Sequence, residues 1–183
     1  MEYSTKQLIF TALMGALMFS LSFILGSGLN ILINPAASGF TSALIQPILI
    51  TIAALTLRRF GIATTMYLVY GFLAIPTNMV GGLPAPFKIL IVLLMGITFD
   101  IFIHFGKYKK ISFYLGSIVM QVITVVALVY FYVLLGIPNS EKFIAAAPLF
   151  AIIGIIESFI GILIGMWIYN KIKNKNIVRQ LQN

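Results

Sequence analysis

The apolar positions of this chain fall into six long runs, and the segments between them contain glycine, proline, asparagine or basic residues. A helix needs roughly 20 mostly apolar residues to cross the hydrocarbon core of a bilayer, so each run predicts a transmembrane helix. The third run is short, and we expect Pro76 to end it because proline disrupts a continuing helix. The predicted spans cover residues of about 6–26, 37–57, 61–76, 86–105, 112–136 and 143–170.

The segments that join these runs are too short to carry the chain back across a membrane, so neighbouring spans are predicted to be antiparallel. Hydrophobic residues make up 61% of the chain and charged residues 9%. Soluble domains contain about 45–50% apolar and about 25% charged residues, which excludes an ordinary soluble protein. We therefore predict an all-α polytopic membrane protein, with residues 1–183 forming a single domain of six transmembrane helices.

The basic residues are distributed unevenly between the two predicted faces. With the N-terminus in the cytoplasm, ten of the twelve lie inside: Lys6, Arg58, Arg59, Lys107, Lys109, Lys110, Lys171, Lys173, Lys175 and Arg179. Lys88 and Lys142 are expected in outer loops. This positive-inside pattern predicts cytoplasmic termini in a multi-pass cell-membrane protein. The same pattern accounts for the net charge of +8, because basic residues on the cytoplasmic side fix the orientation of the helices and contact anionic lipids of the bilayer. We therefore expect no nucleic-acid partner.

The residues required for common catalytic and metal sites are scarce. The chain has no cysteine, one histidine and four acidic residues, and the patterns HExxH, GxSxG, GxGxxG and the P-loop do not occur. We expect neither an enzyme nor a bound metal or cofactor. Asp100 and His104 are spaced for a local pair on the fourth span, with His104 at the membrane interface.

The two longer outer connections are nearly uncharged and rich in glycine, proline and asparagine. Residues 77–88 read TNMVGGLPAPFK, and residues 26–38 read GSGLNILINPAAS. Glycine hinges beside an apolar tip suit a lid that folds over a binding site, although a plain interfacial loop has the same composition. Asn78 and Asn34 are the candidate substrate contacts in these two loops.

The sixth predicted span contains one acidic residue, Glu157, within IIGIIESFIGILIG. Gly154, Ser158, Gly161 and Gly165 form a face of small residues at helical spacing, and Glu157 borders that face. Glu157 is therefore predicted to point into the bundle. Three interpretations remain open: a substrate ligand, a structural hydrogen bond to another helix with the carboxyl group protonated, or coupling to an ion or proton.

Other polar residues are expected at a similar depth and form a candidate binding site with Glu157. They are Gln46 in the second span, Tyr67 and Tyr70 in the third, and Gln121 in the fifth. A few fixed polar groups in an apolar pocket are typical of small-molecule sites. Ordinary hydrogen bonding between helices is the alternative for each of these residues.

Three short stretches support a resemblance to a known family. ALMGA in the first span places Ala12 and Ala16 in an AxxxA pattern, LRRFG follows the second span, and IPTNMVGGLPAP follows the short third span. With the six-span layout, the chain resembles the substrate-binding S component of an energy-coupling factor (ECF) vitamin transporter. The last two stretches resemble the branch associated with hydroxymethylpyrimidine, a thiamine precursor.

The resemblance implies a prokaryotic plasma-membrane protein that binds a vitamin or similar small nutrient under its first and third outer loops. It also implies a transmembrane coupling subunit, which docks at Ala12 and Ala16, and a pair of cytoplasmic ATPases that supply energy. Two alternatives remain open. One is an integral membrane assembly or structural subunit without transport activity. The other is a small autonomous transporter, against which the lack of charged rings along the spans argues.

Overall fold

The computed structural model describes the backbone of residues 3–32, 37–137 and 140–182, and their side chains except at 27–41, 177, 179 and 182. This part of the chain is all-α, as predicted, and contains no strand. The helices are α1 (Thr5–Leu32), α2 (Ala37–Leu57), α3 (Ile62–Ala74), α4 (Ala85–Phe105), α5 (Lys110–Leu134), α6 (Ser140–Ile172) and α7 (Asn176–Gln182). A single 3-10 turn, Val80–Gly82, lies between α3 and α4.

The first six helices coincide with the six apolar runs, and most of their ends differ from prediction by a few residues. The largest differences are that α1 continues to Leu32 and that part of the basic tail forms α7. The third helix ends at Ala74, two residues before Pro76. At about 1.5 Å per residue, its 13 residues extend only about 20 Å, less than the thickness of a bilayer core.

Four helices are long and apolar enough to cross a membrane: Thr5–Gly26 within α1, and α4, α5 and α6. The apolar segments Ser42–Leu57 and Ile62–Ala74 are shorter. Large apolar side chains are exposed around the bundle, including Leu13, Phe105 and Leu163, at 64%, 78% and 58% of their areas. An apolar surface of this extent is expected in contact with lipid and indicates a membrane protein.

Helices α1 to α6 pack in a closed ring, in the order α1, α2, α6, α5, α4, α3 and back to α1. Small residues allow close approach where these helices cross. A Cβ atom on Gly161 would lie 2.6 Å from the carbonyl oxygen of Leu44, and one on Gly165 would lie 2.8 Å from that of Ile48. The predicted small-residue face of the sixth span therefore packs against α2, and Gly154 on the same face meets α5.

The N-terminal end of α3 is held by a carboxylate from α4. Asp100, which is fully buried, accepts hydrogen bonds from the backbone N–H groups of Ala63 at 3.1 Å and Thr64 at 2.8 Å. The Thr64 hydroxyl donates to the same carboxylate at 2.7 Å. The predicted pairing of Asp100 with His104 is therefore wrong. His104 is exposed, and its ring contacts Phe60, Phe105 and Tyr108.

The C-terminal end of α3 is held by a cation from the same neighbour. Lys88 Nζ donates to the carbonyl oxygens of Ala74 at 3.0 Å, Ile75 at 3.2 Å and Thr77. Its side chain is only 2% exposed and lies in the first turn of α4, at the end of the helix where the sequence predicted an outer loop. An anion at the start of a helix and a cation at its end both complement the helix dipole. They also satisfy backbone N–H and C=O groups that the ends of a helix leave without an intrahelical partner.

The chain termini lie together at one end of the bundle, which we call the terminal end. The Tyr3 hydroxyl donates to the carbonyl oxygen of Phe60 in the α2–α3 turn. The Gln7 side-chain amide donates to the carbonyl oxygen of Leu181 in α7 at 2.9 Å. The turns 58–61 and 106–109 lie at this end, and the segment between α3 and α4 lies at the opposite end.

Candidate functional site

A cavity of about 540 Å³ lies inside the ring, between α2, α3, α4, α5 and α6. Residues 78–82, which we call the roof segment, line it at the end opposite the termini. Drug-sized ligands occupy pockets of about 300–1,000 Å³, so the cavity is large enough for a small molecule. The described side chains and glycines that line it are Ser42, Ala43, Gln46, Tyr70, Asn78, Met79, Val80, Gly81, Gly82, Val92, Met95, Gln121, Thr124, Val125, Leu128, Phe143, Phe150, Gly154 and Glu157.

Glu157 lies near the middle of α6 and forms part of the cavity wall. Its inward orientation, predicted from the adjacent small residues, is confirmed. One carboxylate oxygen, Oε2, is buried and has no hydrogen-bond partner among the described residues. A structural hydrogen bond from Glu157 to another helix was one of the three interpretations. For Oε2, the described residues contain no such bond. Buried polar atoms are nearly always paired, so this unpaired oxygen requires an explanation.

Gln121 is held in place by α6. Its Nε2 donates to the Ser158 hydroxyl at 2.9 Å, and that hydroxyl lies 3.5 Å from the carbonyl oxygen of Ala43 on α2. Gly154 provides the necessary space, because a Cβ atom there would lie 3.0 Å from Gln121 Oε1. The small-residue face of α6 therefore fixes a polar side chain in the cavity wall as well as allowing helices to pack closely.

Tyr67, Gln46 and Tyr70 form a polar group between α2 and α3, but they do not all reach the cavity. The hydroxyl of Tyr67, which is fully buried, lies 3.2 Å from Gln46 Oε1 and 3.3 Å from the Met120 sulfur. Tyr67 is absent from the cavity wall and acts on the site by orienting Gln46. Tyr70 does line the cavity, and its hydroxyl interacts with the side chains of Gln46 and Ser42.

The roof segment has an unusual backbone conformation. Val80, Gly81 and Gly82 have positive φ angles of 56°, 69° and 65°. Glycine adopts this left-handed region readily, whereas a β-branched valine is strained there. The Tyr132 hydroxyl on α5 donates to the carbonyl oxygen of Gly81 at 2.6 Å and attaches the roof segment to that helix.

Of the seven predicted substrate contacts, five meet at the cavity: Glu157, Gln121, Gln46, Tyr70 and Asn78. Tyr67 lies behind the wall, and Asn34 lies outside the described residues. Sequence reasoning missed the aromatic part of the wall, in which the rings of Phe143 and Phe150 are stacked with centroids 5.7 Å apart. The sequence did contain a signal for these two residues. Phe143, Phe150 and Glu157 follow one another at intervals of seven residues, which places all three on one face of a helix.

Ala12 and Ala16 lie on α1, outside the cavity wall, and both are half-buried. The buried face of α1, which includes Thr11, Gly15 and Met18, packs against α2 and α3. The two alanines therefore border the surface of the bundle, where another helix can reach them.

The cavity carries polar and acidic groups, and its described lining contains no lysine, arginine or histidine. Groups of three or more side chains that could hold a metal ion are likewise absent from the described part of the chain. Chemically, the site offers one carboxylate, three amide side chains and hydroxyl groups in a partly open and largely apolar cavity, which suits binding of an organic molecule.

Comparison with known proteins assigns no family. No protein-family model, curated protein or solved structure matches the chain.

Proposed function

We propose that the protein is the substrate-binding S component of an ECF-type uptake transporter for a vitamin or similar small nutrient. The supporting observation is the cavity of about 540 Å³, which contains the unpaired carboxylate oxygen of Glu157. Small-molecule sites are clefts or cavities of this size, with a mostly apolar lining and a few fixed polar groups.

In this proposal helices α1 to α6 all lie across the membrane, and the terminal end faces the cytoplasm. Ten of the twelve basic residues belong to that end: they lie in the first turn of α1, in the turns 58–61 and 106–109, at the first residue of α5, in the last turn of α6 or after α6. This distribution is the one that the positive-inside rule describes for a cytoplasmic face. The roof segment then faces the outside and separates the cavity from the medium. The capping of α3 by Asp100 and Lys88 allows a helix of 13 residues to lie within the membrane.

Substrate enters from the outer side when the roof segment moves away and is enclosed when it returns. The glycines at 81 and 82 supply conformational freedom for this movement, and the Tyr132–Gly81 hydrogen bond favours the closed position. A transmembrane coupling subunit docks on α1 at Ala12 and Ala16, and two cytoplasmic ATPases hydrolyse ATP. The lack of a P-loop in this sequence agrees with that division of labour.

The decisive experiment is mass spectrometry of small molecules that co-purify with the protein in mild detergent. We expect a stoichiometric nutrient that is lost or weakened in Glu157→Gln. Ligand-free protein that also binds none of a panel of water-soluble vitamins would contradict the proposal and favour a structural or assembly subunit.

Docking is tested separately in the complete transporter. Ala12→Trp with Ala16→Trp should abolish uptake but leave binding by the isolated subunit unchanged, because bulky groups block the approach of a helix. Val126→Trp is the control, since Val126 is 61% exposed on α5, away from α1. Full uptake by the double tryptophan variant would show that the docking assignment is wrong.

A further inference from the structure

We propose that the cavity selects a small organic cation, whose positively charged nitrogen pairs with the carboxylate of Glu157. This inference rests on the proposed function, because it specifies the chemical class of the substrate for the same site. It goes beyond the resemblance, since the fold of a binding subunit does not determine the charge of its ligand.

The charge of the cavity wall favours a cationic ligand. Among the described lining residues, Glu157 has the only acidic side chain, and no basic side chain is present to balance it. Lys88 cannot balance it, because the Lys88 ammonium group donates to three carbonyl oxygens at the end of α3. An anionic ligand would meet a carboxylate in a medium of low dielectric constant, where like charges repel strongly.

The carboxylate of Glu157 also lacks a donor, which a cationic ligand would supply. Oε2 of Glu157 is buried without a partner in the part of the chain that the structure describes. Leaving a charged acceptor unsatisfied is costly, and a charge-assisted hydrogen bond from an N–H group of a ligand removes that cost. Asp100 shows the alternative, since three donors from α3 satisfy it.

The size of the cavity and the other side chains of its wall favour an organic cation over a metal ion. A bare metal ion would leave most of a cavity of 540 Å³ unfilled, whereas an organic molecule can fill it. Tyr70, Phe143 and Phe150 supply aromatic side chains to the wall, and aromatic rings attract cations. Gln46, Gln121 and Asn78 supply neutral polar contacts. An ammonium group or a positively charged amino-substituted heteroaromatic ring matches this combination.

The test uses the fact that the chain has no cysteine, so a single introduced thiol is the only one in the protein. Thr124→Cys places a thiol in the cavity wall, and Pro86→Cys places one on the exposed start of α4 as the control. Each variant is treated in detergent with a cationic methanethiosulfonate (the trimethylammonium-ethyl reagent) and an anionic one (the sulfonato-ethyl reagent). The ratio of the two labelling rates reports the charge preference at each position.

We expect the cation-to-anion rate ratio at Thr124→Cys to exceed that at Pro86→Cys by about tenfold or more. Adding Glu157→Gln should lower the ratio at Thr124→Cys to the control value. Val125→Cys, also in the wall, replaces Thr124→Cys if that variant does not elute as a single species.

Equal ratios at the cavity and control thiols would overturn the inference and leave the proposed binding function standing. An elevated ratio that persists in Glu157→Gln would also overturn it, because Glu157 would not be its source. If neither reagent labels the cavity thiol while the control reacts, the cavity is inaccessible, and both the proposed function and this inference fail.

Discussion

Asp100 and Glu157 are both carboxylates on helices long enough to span a membrane, but their surroundings differ. Asp100 is enclosed by the first turn of α3 and accepts hydrogen bonds from two backbone N–H groups and a hydroxyl group. Glu157 faces a cavity, and its Oε2 has no partner among the described residues. A charge inside a membrane protein is costly in either place, so each must have a compensating role. The comparison indicates a structural role for Asp100 and is consistent with the ligand-binding role that we propose for Glu157.

Matched amide substitutions test this comparison most directly, and Asp100→Asn should have the largest effect. The amide places an NH₂ group where one carboxylate oxygen accepts a hydrogen bond, so at least one buried backbone N–H loses its acceptor. We expect a loss of stability of about 2–3 kcal/mol, measured as a lower apparent melting temperature in detergent. A change no larger than that of Glu157→Gln would contradict the structural role of Asp100.

Lys88→Met should have the next largest effect, because methionine fills similar space but cannot donate to the carbonyl oxygens of Ala74, Ile75 and Thr77. We expect a loss of stability of about 1–3 kcal/mol in the same melting experiment. Lys142→Met is the matched control, since Lys142 is exposed at the start of α6. Equal melting temperatures for the two variants would show that the Lys88 cap does not stabilise α3.

Tyr132→Phe should have a smaller effect, confined to the roof segment, because it removes the single hydrogen bond from α5 to Gly81. A loss of about 1 kcal/mol should raise the open population, and with it the labelling rate of Thr124→Cys, about fivefold. Tyr130→Phe is the control, as Tyr130 is 60% exposed two residues earlier. An unchanged labelling rate in Tyr132→Phe would show that this bond does not control access.

Glu157→Gln should have the smallest effect on the stability of the ligand-free protein. No donor among the described residues bonds to Oε2, so the substitution breaks no hydrogen bond to that oxygen. It also removes the free-energy cost of burying a charge. We expect a melting temperature equal to or slightly above that of the unchanged protein, with Glu141→Gln, an exposed position, as the control. Destabilisation comparable to that of Asp100→Asn would reveal a protein partner for Glu157.

Much of the fold could be predicted from the order of apolar residues. Each long run became a helix, because burial in lipid or in a helical bundle requires all backbone groups to be paired within the segment. The short helix α7 was not predicted, since its sequence is polar and too short to be helical alone. Contacts that are distant in sequence hold it, including the burial of Val178 and the hydrogen bond from Gln7 to Leu181.

The candidate site was predictable to the extent that helical periodicity is local. The small residues beside Glu157 identified the inward face of α6, and five of the predicted contacts meet at one cavity. Periodicity does not report how each helix is rotated relative to its neighbours. Tyr67 and Tyr70 are one turn apart, yet one lies behind the wall and the other lies in it.

Local composition and charge order were sufficient to establish an all-helical bundle, its breaks and the inward position of Glu157. The roles of the other buried charges depended on packing. Sequence spacing suggested that Asp100 pairs with His104, but α4 is antiparallel to α3 and presents Asp100 to its start and Lys88 to its end. Asp100 and Lys88 are 12 positions apart on α4, and the first and last residues of α3, Ile62 and Ala74, are also 12 positions apart. The two spacings are equal, but only the packing of α4 along α3 shows that the charges meet the helix ends. Hydrogen bonds between helices depend on depth and rotation, which are properties of the assembled bundle.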